Sequence, residues 1–419
     1  MSCVFNTFSE IGPLRTVMLH RPGDELLNLS PDSLDRLLFD DIPFLEGAQR
    51  EHDTFARMLA EEGVEVLYLD QLVAEAIDAA PDGRELFVDR YVAECGLEGC
   101  DALQGLVHDV LLSQPTTKAL VDKAISGIRA DEVDGLPRKA GSLADILNAN
   151  GTEEDGLLVD PIPNIYFTRD TFSVIGTSVS VNRMLSATRR RESLLADTIF
   201  SFHPAYAGVR RVYDRDLPFH IEGGDILVLG NRTVAVGISE RTQSAAIDIL
   251  AKNLLWADED LGFDRILALL IPRKRAFMHL DTVFTQLDAD TFTMHPAILG
   301  TLRVFELTRG AHEGELDIRV HEETLDQILS SALGLDGVRL IKCGGDDAIA
   351  ATREQWNDGA NTLAVAPGRV FVYQRNSVTN DILCKAGIEL LEIPSGELSR
   401  GRGGPHCMSM AFWRDSPEY

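Results

Sequence analysis

One order of elements, a strand, a turn, a helix and a second strand, recurs along the chain and constrains the fold more than any other feature. It is clearest in residues 232–272 and 363–394. In both segments a strand rich in β-branched residues ends at an arginine, Arg241 or Arg375, before a polar helix start. Two weaker copies lie in the first half of the chain. Repetition of one unit favours a radial arrangement, although the alternating strands and helices of an ordinary open sheet would give the same pattern.

Residues 75–150 interrupt this order. Four stretches in this segment place apolar residues at helical spacing, and glycine and proline separate the stretches. The pattern predicts a helical bundle inserted between sheet-forming units. We therefore expect a sheet-forming domain of residues 1–74 and 151–419, and an inserted helical domain of residues 75–150.

The chain carries many more acidic than basic residues. Its 39 lysine and arginine residues against 66 aspartate and glutamate residues give a formal net charge of −27. Nucleic acids and anionic membranes are bound by clustered positive charge, so both are disfavoured as partners. The charge instead favours cationic small molecules.

The cysteines and the apolar runs indicate a cytoplasmic protein. Six cysteines are dispersed without a CxxC pair or a Cys/His metal spacing, so we expect neither a disulfide scaffold nor a metal site. Cys95 and Cys100 are near enough in sequence to pair, but we expect both to be helix residues. The first residues lack the basic and apolar regions of a signal peptide. The longest apolar run, Ile266–Pro272, is too short to span a membrane.

Four short stretches combine polar groups with turn residues: NIYFTRDTF, HIEGGDI, MHLDT and GRGGPHCM. Alone, each is more often a turn, a surface ion pair or a small buried residue. Together they supply a thiol, an imidazole and three carboxylates, from Cys407, His279, Asp170, Glu222 and Asp281. We expect a strand that places His279 and Asp281 on the same face, because side chains alternate along a strand. Three carboxylates without a metal motif suit a guanidinium, a planar cation whose paired N–H donors match carboxylate oxygens.

These stretches, with LLFDD, RRRES, VGISERT and REQWNDGANTLAVAPGRV, stand in an order and spacing that resemble the bacterial arginine deiminases. The resemblance covers essentially the whole chain, including the helical insertion. It implies an α/β fold, a five-bladed pseudo-symmetric α/β propeller of ββαβ units with an inserted helical bundle. It also implies hydrolysis of L-arginine to L-citrulline and ammonia, without cofactor or metal, by a homodimer or homotetramer.

The resemblance assigns the chemistry to five residues. Cys407 is the nucleophile that forms a covalent amidino-cysteine intermediate, and His279 is the acid and base for departing ammonia and attacking water. Asp170 and Asp281 hold the guanidinium, and Glu222 bonds its nitrogens beside His279. The implied substrate-binding residues are Asn164, Phe167, Arg189, Arg241, Arg402, Gly401 and Leu38.

Within this second set, Arg189 and Arg241 match arginines that bind the substrate α-carboxylate, and Arg402 matches one that moves when substrate enters. The chain departs from many relatives at residues 184–186, where bulkier aromatic or proline residues are common. The sequence therefore does not determine how deep the pocket is at the end that binds the substrate α-carboxylate. His406, often arginine in relatives, is expected to point away from the side chain of Cys407.

Other functions fit part of the pattern. Amidinotransferases, dimethylarginine hydrolases and agmatine deiminases also combine a late cysteine with histidine and carboxylates. Two arginines for an α-carboxylate argue against agmatine, which lacks that group. A non-catalytic arginine-binding protein would not need the full set of reactive side chains. A cysteine protease would gain nothing from three carboxylates around a neutral peptide carbonyl.

Overall fold

The computed structural model describes residues 4–136, 142–149, 156–257, 261–274, 277–298 and 302–417. The interpretation of residues 75–150 as helical falls partly outside these ranges. Within the described ranges, no helix combines the length and the apolar character needed to cross a bilayer.

Strands and helices alternate through most of the described chain. The strands are β1 (Leu14–Leu19), β2 (Glu65–Tyr68), β3 (Ile128–Arg129), β4 (Leu157–Val159), β5 (Phe172–Ile175), β6 (Ser178–Val181), β7 (Arg211–Tyr213), β8 (Ile226–Gly230), β9 (Thr233–Ile238), β10 (Arg265–Leu270), β11 (Phe284–Asp288), β12 (Thr291–Met294), β13 (Arg303–Arg309), β14 (Leu316–Val320), β15 (Arg339–Lys342), β16 (Leu363–Ala366), β17 (Arg369–Tyr373), β18 (Glu389–Ile393) and β19 (Met410–Arg414).

The helices are α1 (Leu34–Leu37), α2 (Leu45–Glu61), α3 (Leu69–Ala79), α4 (Gly83–Ala93), α5 (Asp101–Leu112), α6 (Thr117–Ser126), α7 (Leu143–Asn148), α8 (Arg190–Phe202), α9 (Ser244–Leu255), α10 (Leu325–Leu333), α11 (Ala348–Trp356) and α12 (Ser377–Lys385). The fold is therefore mixed α/β.

Five sheets share one plan, in which an antiparallel pair is extended by a parallel strand. The pattern holds for β5–β6–β7, β8–β9–β10, β11–β12–β15, β16–β17–β18 and β19–β1–β2. A parallel neighbour needs a crossover connection, and a helix supplies one in every unit. This is the repeated order that the sequence predicts. The hairpin β13–β14 widens the second of these sheets at β10.

Helix α9 illustrates why the crossover segments are helical. Ile247, Leu250, Ala251 and Leu254 recur at helical spacing and are buried. They pack in one core with the β-branched residues of the parallel strands β9 and β10. One apolar face of the helix is thereby covered by the sheet, and burial of such faces is the main source of helix stability in proteins.

The first and last strands of the chain lie in the same sheet. Strand β19 pairs antiparallel with β1, with Met18 opposite Met410 and Leu14 opposite Arg414. The Arg414 side chain is buried and donates to the carbonyl oxygens of Gly12 and Ala364. The segment just before β19 is therefore held in the interior of the fold.

Helices α3–α6 pack together, and they share a continuous apolar core with β5, β6 and α8. The short strand β3 pairs antiparallel with β4, so the segment between α3 and β4 is not entirely helical. Cys95 and Cys100 lie in the loop between α4 and α5 and are free thiols. The expectation that both are helix residues was wrong, because Gly96 and Gly99, with φ of 86° and 79°, form a turn there.

Candidate active site

The glycine-rich turn before β19 presents Cys407. A 3-10 turn, Leu398–Gly401, ends at Arg402, whose φ is +65°. The chain then passes so close to Phe167 that a Cβ on Gly403 would lie 2.3 Å from its ring. Only glycine fits at that position without displacing the ring. Cys407 follows, with 3% of its surface exposed.

The thiol of Cys407 is held by Asp281 and by an amide that the sequence analysis missed. Asn361 Nδ2 donates to Sγ over 3.1 Å, and Asn361 Oδ1 accepts from the backbone N–H of Cys407 over 3.1 Å. Sγ itself lies 3.3 Å from Asp281 Oδ2, to which it donates. Asn361 lies just before the apolar strand β16, and the signal for it in the sequence was its place in REQWNDGANTLAVAPGRV, a stretch that carries part of the family resemblance.

Electrostatics keep this thiol neutral in the resting protein. Burial, and then the negative charges of Asp281, Asp170 and Asp358, raise the pKa of Cys407 well above its usual value. A neutral thiol is a poor nucleophile. Attack therefore requires a positive charge to arrive among these carboxylates.

The expectation that His279 and Asp281 lie on one strand was wrong. His279 has extended backbone angles, but residues Leu280–Thr282 form a 3-10 turn. Asp225 stabilises this turn, because its Oδ1 accepts the backbone N–H of Leu280 over 2.8 Å. Burial raises the pKa of Asp225 to about 6. Asp225 thus supports the turn that carries both residues.

His279 lies between two buried acids. Its Nε2 is 2.8 Å from Glu222 Oε2, and its Nδ1 is 3.5 Å from Asp170 Oδ1. Burial opposes the imidazolium, but the charges and hydrogen bond of Asp170 and Glu222 outweigh it and raise the pKa of His279 to about 9. The imidazole is therefore protonated at neutral pH. A Cβ on Gly224 would lie 2.6 Å from Nδ1, so the ring needs glycine beneath it.

His406 shares a carboxylate with the thiol, contrary to the expectation that it points away. Its Nδ1 is 2.8 Å from Asp281 Oδ2, the same oxygen that accepts from Cys407, and its Nε2 is 3.2 Å from Glu10 Oε2. Burial opposes the charge of Asp281, but the hydrogen bond and charge of His406 lower the pKa of Asp281 below its usual value. The carboxylate beside the thiol is therefore ionised.

Two arginines of the protein itself, Arg189 and Arg241, form ion pairs with the other acids of the site. Arg189 Nη1 lies 2.9 Å from Asp170 Oδ2 and 3.7 Å from Glu222 Oε2, and Nε and Nη2 hold Glu192. Arg241 Nη1 lies 3.3 Å from Glu222 Oε2. The acids therefore already bind guanidinium groups.

One oxygen of each of two carboxylates has no hydrogen-bond partner within the described ranges. These atoms, Asp170 Oδ1 and Asp281 Oδ1, are both buried, and Asp170 Oδ1 faces His279 Nδ1 only at the ion-pair distance of 3.5 Å. An unpaired buried acceptor costs about 1–3 kcal/mol. The site is therefore built to receive additional N–H donors.

The remaining predicted residues lie around this centre. Asn164 is buried and donates to the carbonyl oxygen of Leu37 over 2.7 Å, and Leu38 follows at the left-handed end of α1. Phe167 packs on Tyr166, and Gly401 lies against the Tyr166 hydroxyl. These contacts link the end of α1 to the glycine-rich turn.

Arg402 contacts Trp356 and Asp40. Its guanidinium lies 3.6 Å from the centre of the Trp356 ring, and its Nη1 is 3.1 Å from Asp40 Oδ2. Trp356 is a second residue that the sequence analysis missed. The aromatic face and the carboxylate together form a stable position for this cation.

Asp170, Glu222 and His279 also have the donor types of a metal site, with one ligand atom from each within 4.8 Å of the others. These donors are nevertheless engaged with one another and with Arg189. The acids of this cluster can bind cations of either kind, and in this structure they bind the N–H groups of Arg189 and His279.

Comparison with known proteins identifies the family. The family model described as arginine deiminase matches residues 35–414. The arginine deiminase of Treponema denticola is 50% identical over 414 residues, which span 98% of this chain and 99% of the relative. That of Streptococcus equi subsp. equi is 49% identical over 414 residues, 98% of each chain. The amidinotransferase SxtG from Microseira wollei is similar in fold alone, with a TM-score of 0.55 at 14% identity over 100% of this chain and 99% of its own. On the family match and these full-length relatives, the chain belongs to the arginine deiminase family.

Proposed function

We propose that this protein is a hydrolase that converts L-arginine to L-citrulline and ammonia. The observation that carries the proposal is the buried thiol of Cys407 beside Asp281, in a site where one oxygen each of Asp281 and Asp170 has no hydrogen-bond donor among the described residues. A substrate guanidinium supplies both the missing donors and a compensating positive charge. The relatives named arginine deiminase support the same activity.

In the first half of the reaction, the substrate cation lowers the pKa of Cys407 by offsetting Asp281 and Asp170. The thiol proton passes to Asp281 Oδ2, its hydrogen-bond acceptor. The thiolate attacks the guanidinium carbon and forms a C–S bond. His279, protonated at neutral pH, gives its proton to the departing nitrogen, which leaves as ammonia.

In the second half, water attacks the amidino carbon of the cysteine adduct. The neutral imidazole of His279 takes the water proton, and Glu222 stabilises the imidazolium that forms. The C–S bond then breaks, releasing citrulline and the thiolate, which regains its proton. Asp170 and Asp281 hold the carbon in line with the sulfur throughout, and positioning of this kind supplies several kcal/mol of a barrier.

Substrate entry requires Arg189 and Arg241 to give up their bonds to Asp170 and Glu222. We propose that their guanidiniums then bind the substrate α-carboxylate, with the amide of Asn164. The other proposed binding residues are Phe167, Leu38, Gly401 and Arg402. Arg402 would leave Trp356 and close over the substrate.

For the fold, we propose that the five sheets are the blades of a pseudo-symmetric α/β propeller. The shared strand order and the pairing of β19 with β1 support this arrangement. We also propose that residues 75–150 form an inserted helical domain on a propeller of residues 1–74 and 151–419. Assembly as a dimer or tetramer, a cytoplasmic location and activity without a cofactor remain our predictions.

The first test replaces the nucleophile. Cys407→Ser keeps a hydroxyl donor at the site but removes the thiolate, so citrulline formation should be abolished while arginine still binds. Acid-quenched intact mass spectrometry of the wild type during turnover should show a covalent adduct. Cys384→Ser, at an exposed thiol on α12, is the matched control and should behave as wild type. Citrulline production by Cys407→Ser at the wild-type rate would refute the mechanism.

The second test separates this function from agmatine hydrolysis. Arg241→Ala should lower kcat/KM for arginine about 10–100-fold, the value of one charge-assisted contact. The loss for agmatine, which has no carboxylate, should be smaller. Arg232→Ala, at an exposed arginine paired with Asp264, should leave both unchanged. Equal losses on the two substrates would contradict the carboxylate role of Arg241.

A further inference from the structure

A second cavity, of about 460 Å³, lies next to the segment that carries Arg189 into the catalytic centre. Residues 183–193 form one wall, and the end of α4 with the loop that follows forms another. This volume is in the range of small-molecule binding sites. Arg189 itself is not part of the lining, so the cavity is separate from the acids that it contacts.

Five arginines line this cavity, and two of them are neutralised within the protein. Arg36 pairs with Asp160, and Arg215 holds both oxygens of Glu94 at 2.9 and 2.5 Å. Bidentate pairs of this kind leave little charge for a ligand. The positive character of the cavity therefore comes from the other three arginines, Arg183, Arg190 and Arg191.

Arg191 is the most informative of the three, because it is 3% exposed and its contacts are neutral. It donates to the Tyr91 hydroxyl over 2.6 Å and to the carbonyl oxygen of Asp160 over 2.9 Å, and it lies 5.2 Å from the Tyr91 ring centre. Among the residues with described positions, no carboxylate forms an ion pair with it. A buried guanidinium without a counter-charge is costly.

Arg183 and Arg190 add charge without a carboxylate of their own in the described part of the chain. Arg183 donates to the carbonyl oxygen of Arg215 over 3.2 Å. Arg190 is exposed and is the first residue of α8. The unpaired carboxylates of the lining, Glu98 and Asp216, are both exposed, so solvent screens them.

We propose that this arginine-lined cavity binds a small anion that carries a phosphoryl group. Arg183 and Arg190 provide forked donors for several oxygens, and the buried Arg191 adds its charge, a combination that suits a phosphoryl group better than a single carboxylate. Arg190 and Arg191 open α8, a helix of 13 residues, and the partial positive charge of its N-terminus adds to theirs. In a chain with a net charge of −27, this cluster is an exception to the prevailing charge.

The same segment touches the catalytic acids. The backbone N–H of Leu185 donates to Glu222 Oε1 over 3.0 Å, and Thr188 donates to the carbonyl oxygen of Arg36. The site is nevertheless a binding site in its own right, and its test does not depend on turnover of arginine. The proposal therefore does not rest on the proposed function.

Isothermal titration calorimetry of the full chain with inorganic phosphate and with ADP, at constant ionic strength, tests the proposal. We expect saturable binding at one site per chain. The double variant Arg183→Gln/Arg190→Gln should weaken binding of both probes at least 10-fold. Its matched control, Arg57→Gln/Arg319→Gln, removes two exposed arginines elsewhere and should bind as wild type. Similar affinities for the two probes indicate a phosphoryl site alone, and tighter binding of ADP indicates a nucleotide site.

A second measurement on the wild type guards against a variant that fails to fold. Hydrogen exchange with and without ADP should show protection at the start of α8 and in residues 93–98. Absence of saturable binding at millimolar probe would overturn the proposal. So would wild-type affinity in the Arg183→Gln/Arg190→Gln variant, or protection confined to other parts of the chain.

Discussion

At the scale of the residue, Asp281 is the point where two hydrogen-bond systems meet. One of its oxygens accepts from the Cys407 thiol and faces His406, which in turn faces Glu10. Burial opposes the charge of Glu10, but Arg169, His406 and Arg414 together lower its pKa to about 2. The thiol proton therefore lies beside Asp281, and His406 links Asp281 to Glu10, two carboxyl groups whose pKa values are both lowered. Such coupling means that the pH response of the thiol belongs to the group of residues rather than to Cys407 alone.

His279 gives a prediction for stability against pH. Its pKa rises from an ordinary 6.5 to about 9 in the folded protein. The ion pairs of the imidazolium therefore stabilise the fold fully below about pH 6.5, and this contribution disappears as the pH rises through about 9. The free energy of unfolding, measured with urea from pH 6 to 10, should fall more steeply for the wild type than for His279→Asn.

The difference in the free energy of unfolding between the wild type and His279→Asn should thus shrink toward pH 10. His20, whose pKa is also raised to about 9, is present in both and cancels in the comparison. A constant difference across the range would mean that His279 is neutral in the folded protein.

At the scale of the element, the glycine-rich turn is shaped by contacts rather than by flexibility alone. A methyl group at Gly403 would lie 2.3 Å from the ring of Phe167, which packs at a tilt against Tyr166. Gly403→Ala should therefore destabilise the protein by about 1–3 kcal/mol, as overpacking does. It should also lower turnover by displacing Cys407. Thermal unfolding and a citrulline assay measure the two effects.

The matched control lies in helix α5. No atom lies within 4 Å of a Cβ placed on Gly105, so Gly105→Ala should stabilise the protein by about 0.5–1 kcal/mol through helix propensity. Equal stabilities of the two alanine variants would contradict the prediction that the close approach of Gly403 to Phe167 makes a side chain at position 403 destabilising.

Elements were predicted from the sequence where periodicity was strong. The strand, helix and strand of residues 232–272 appear as β9, α9 and β10, and those of residues 363–394 appear as β16–β17, α12 and β18. The turn at Leu280–Thr282 was missed because its conformation depends on Asp225, which is distant in sequence. Residues that act through tertiary contacts, such as Asn361 and Trp356, leave no periodic pattern.

The orientation of His406 was missed for the same reason. Its side chain was expected to point away from that of Cys407, whereas the turn that contains both residues brings the ring to Asp281. The chemistry of the five catalytic candidates was visible as a set of residue types. The distances between these side chains could not be predicted without the folded structure. The same holds for the ion pairs of Arg189 with Asp170 and of Arg241 with Glu222.

At the scale of the whole molecule, strand β19 joins the two ends of the chain in one sheet. Removal of residues 410–419 would expose the edge of β1 and free the segment that holds Cys407. This truncated protein should be largely unfolded or aggregated, because an unpaired buried strand edge is a template for association. Removal of residues 416–419 spares the strand and should leave folding unchanged. Size-exclusion chromatography and circular dichroism distinguish these outcomes, and a compact, folded 410–419 deletion would contradict the role of β19.

The pairing of β19 with β1 has a consequence for the newly made chain. The partner of strand β1, strand β19, is synthesised nearly 400 residues after it. During that interval the first sheet has an open edge, a state in which large proteins tend to aggregate. The thiol of Cys407, the proposed nucleophile, emerges in the same late segment. The nascent chain therefore remains chemically inert toward guanidines until the moment at which its fold can close.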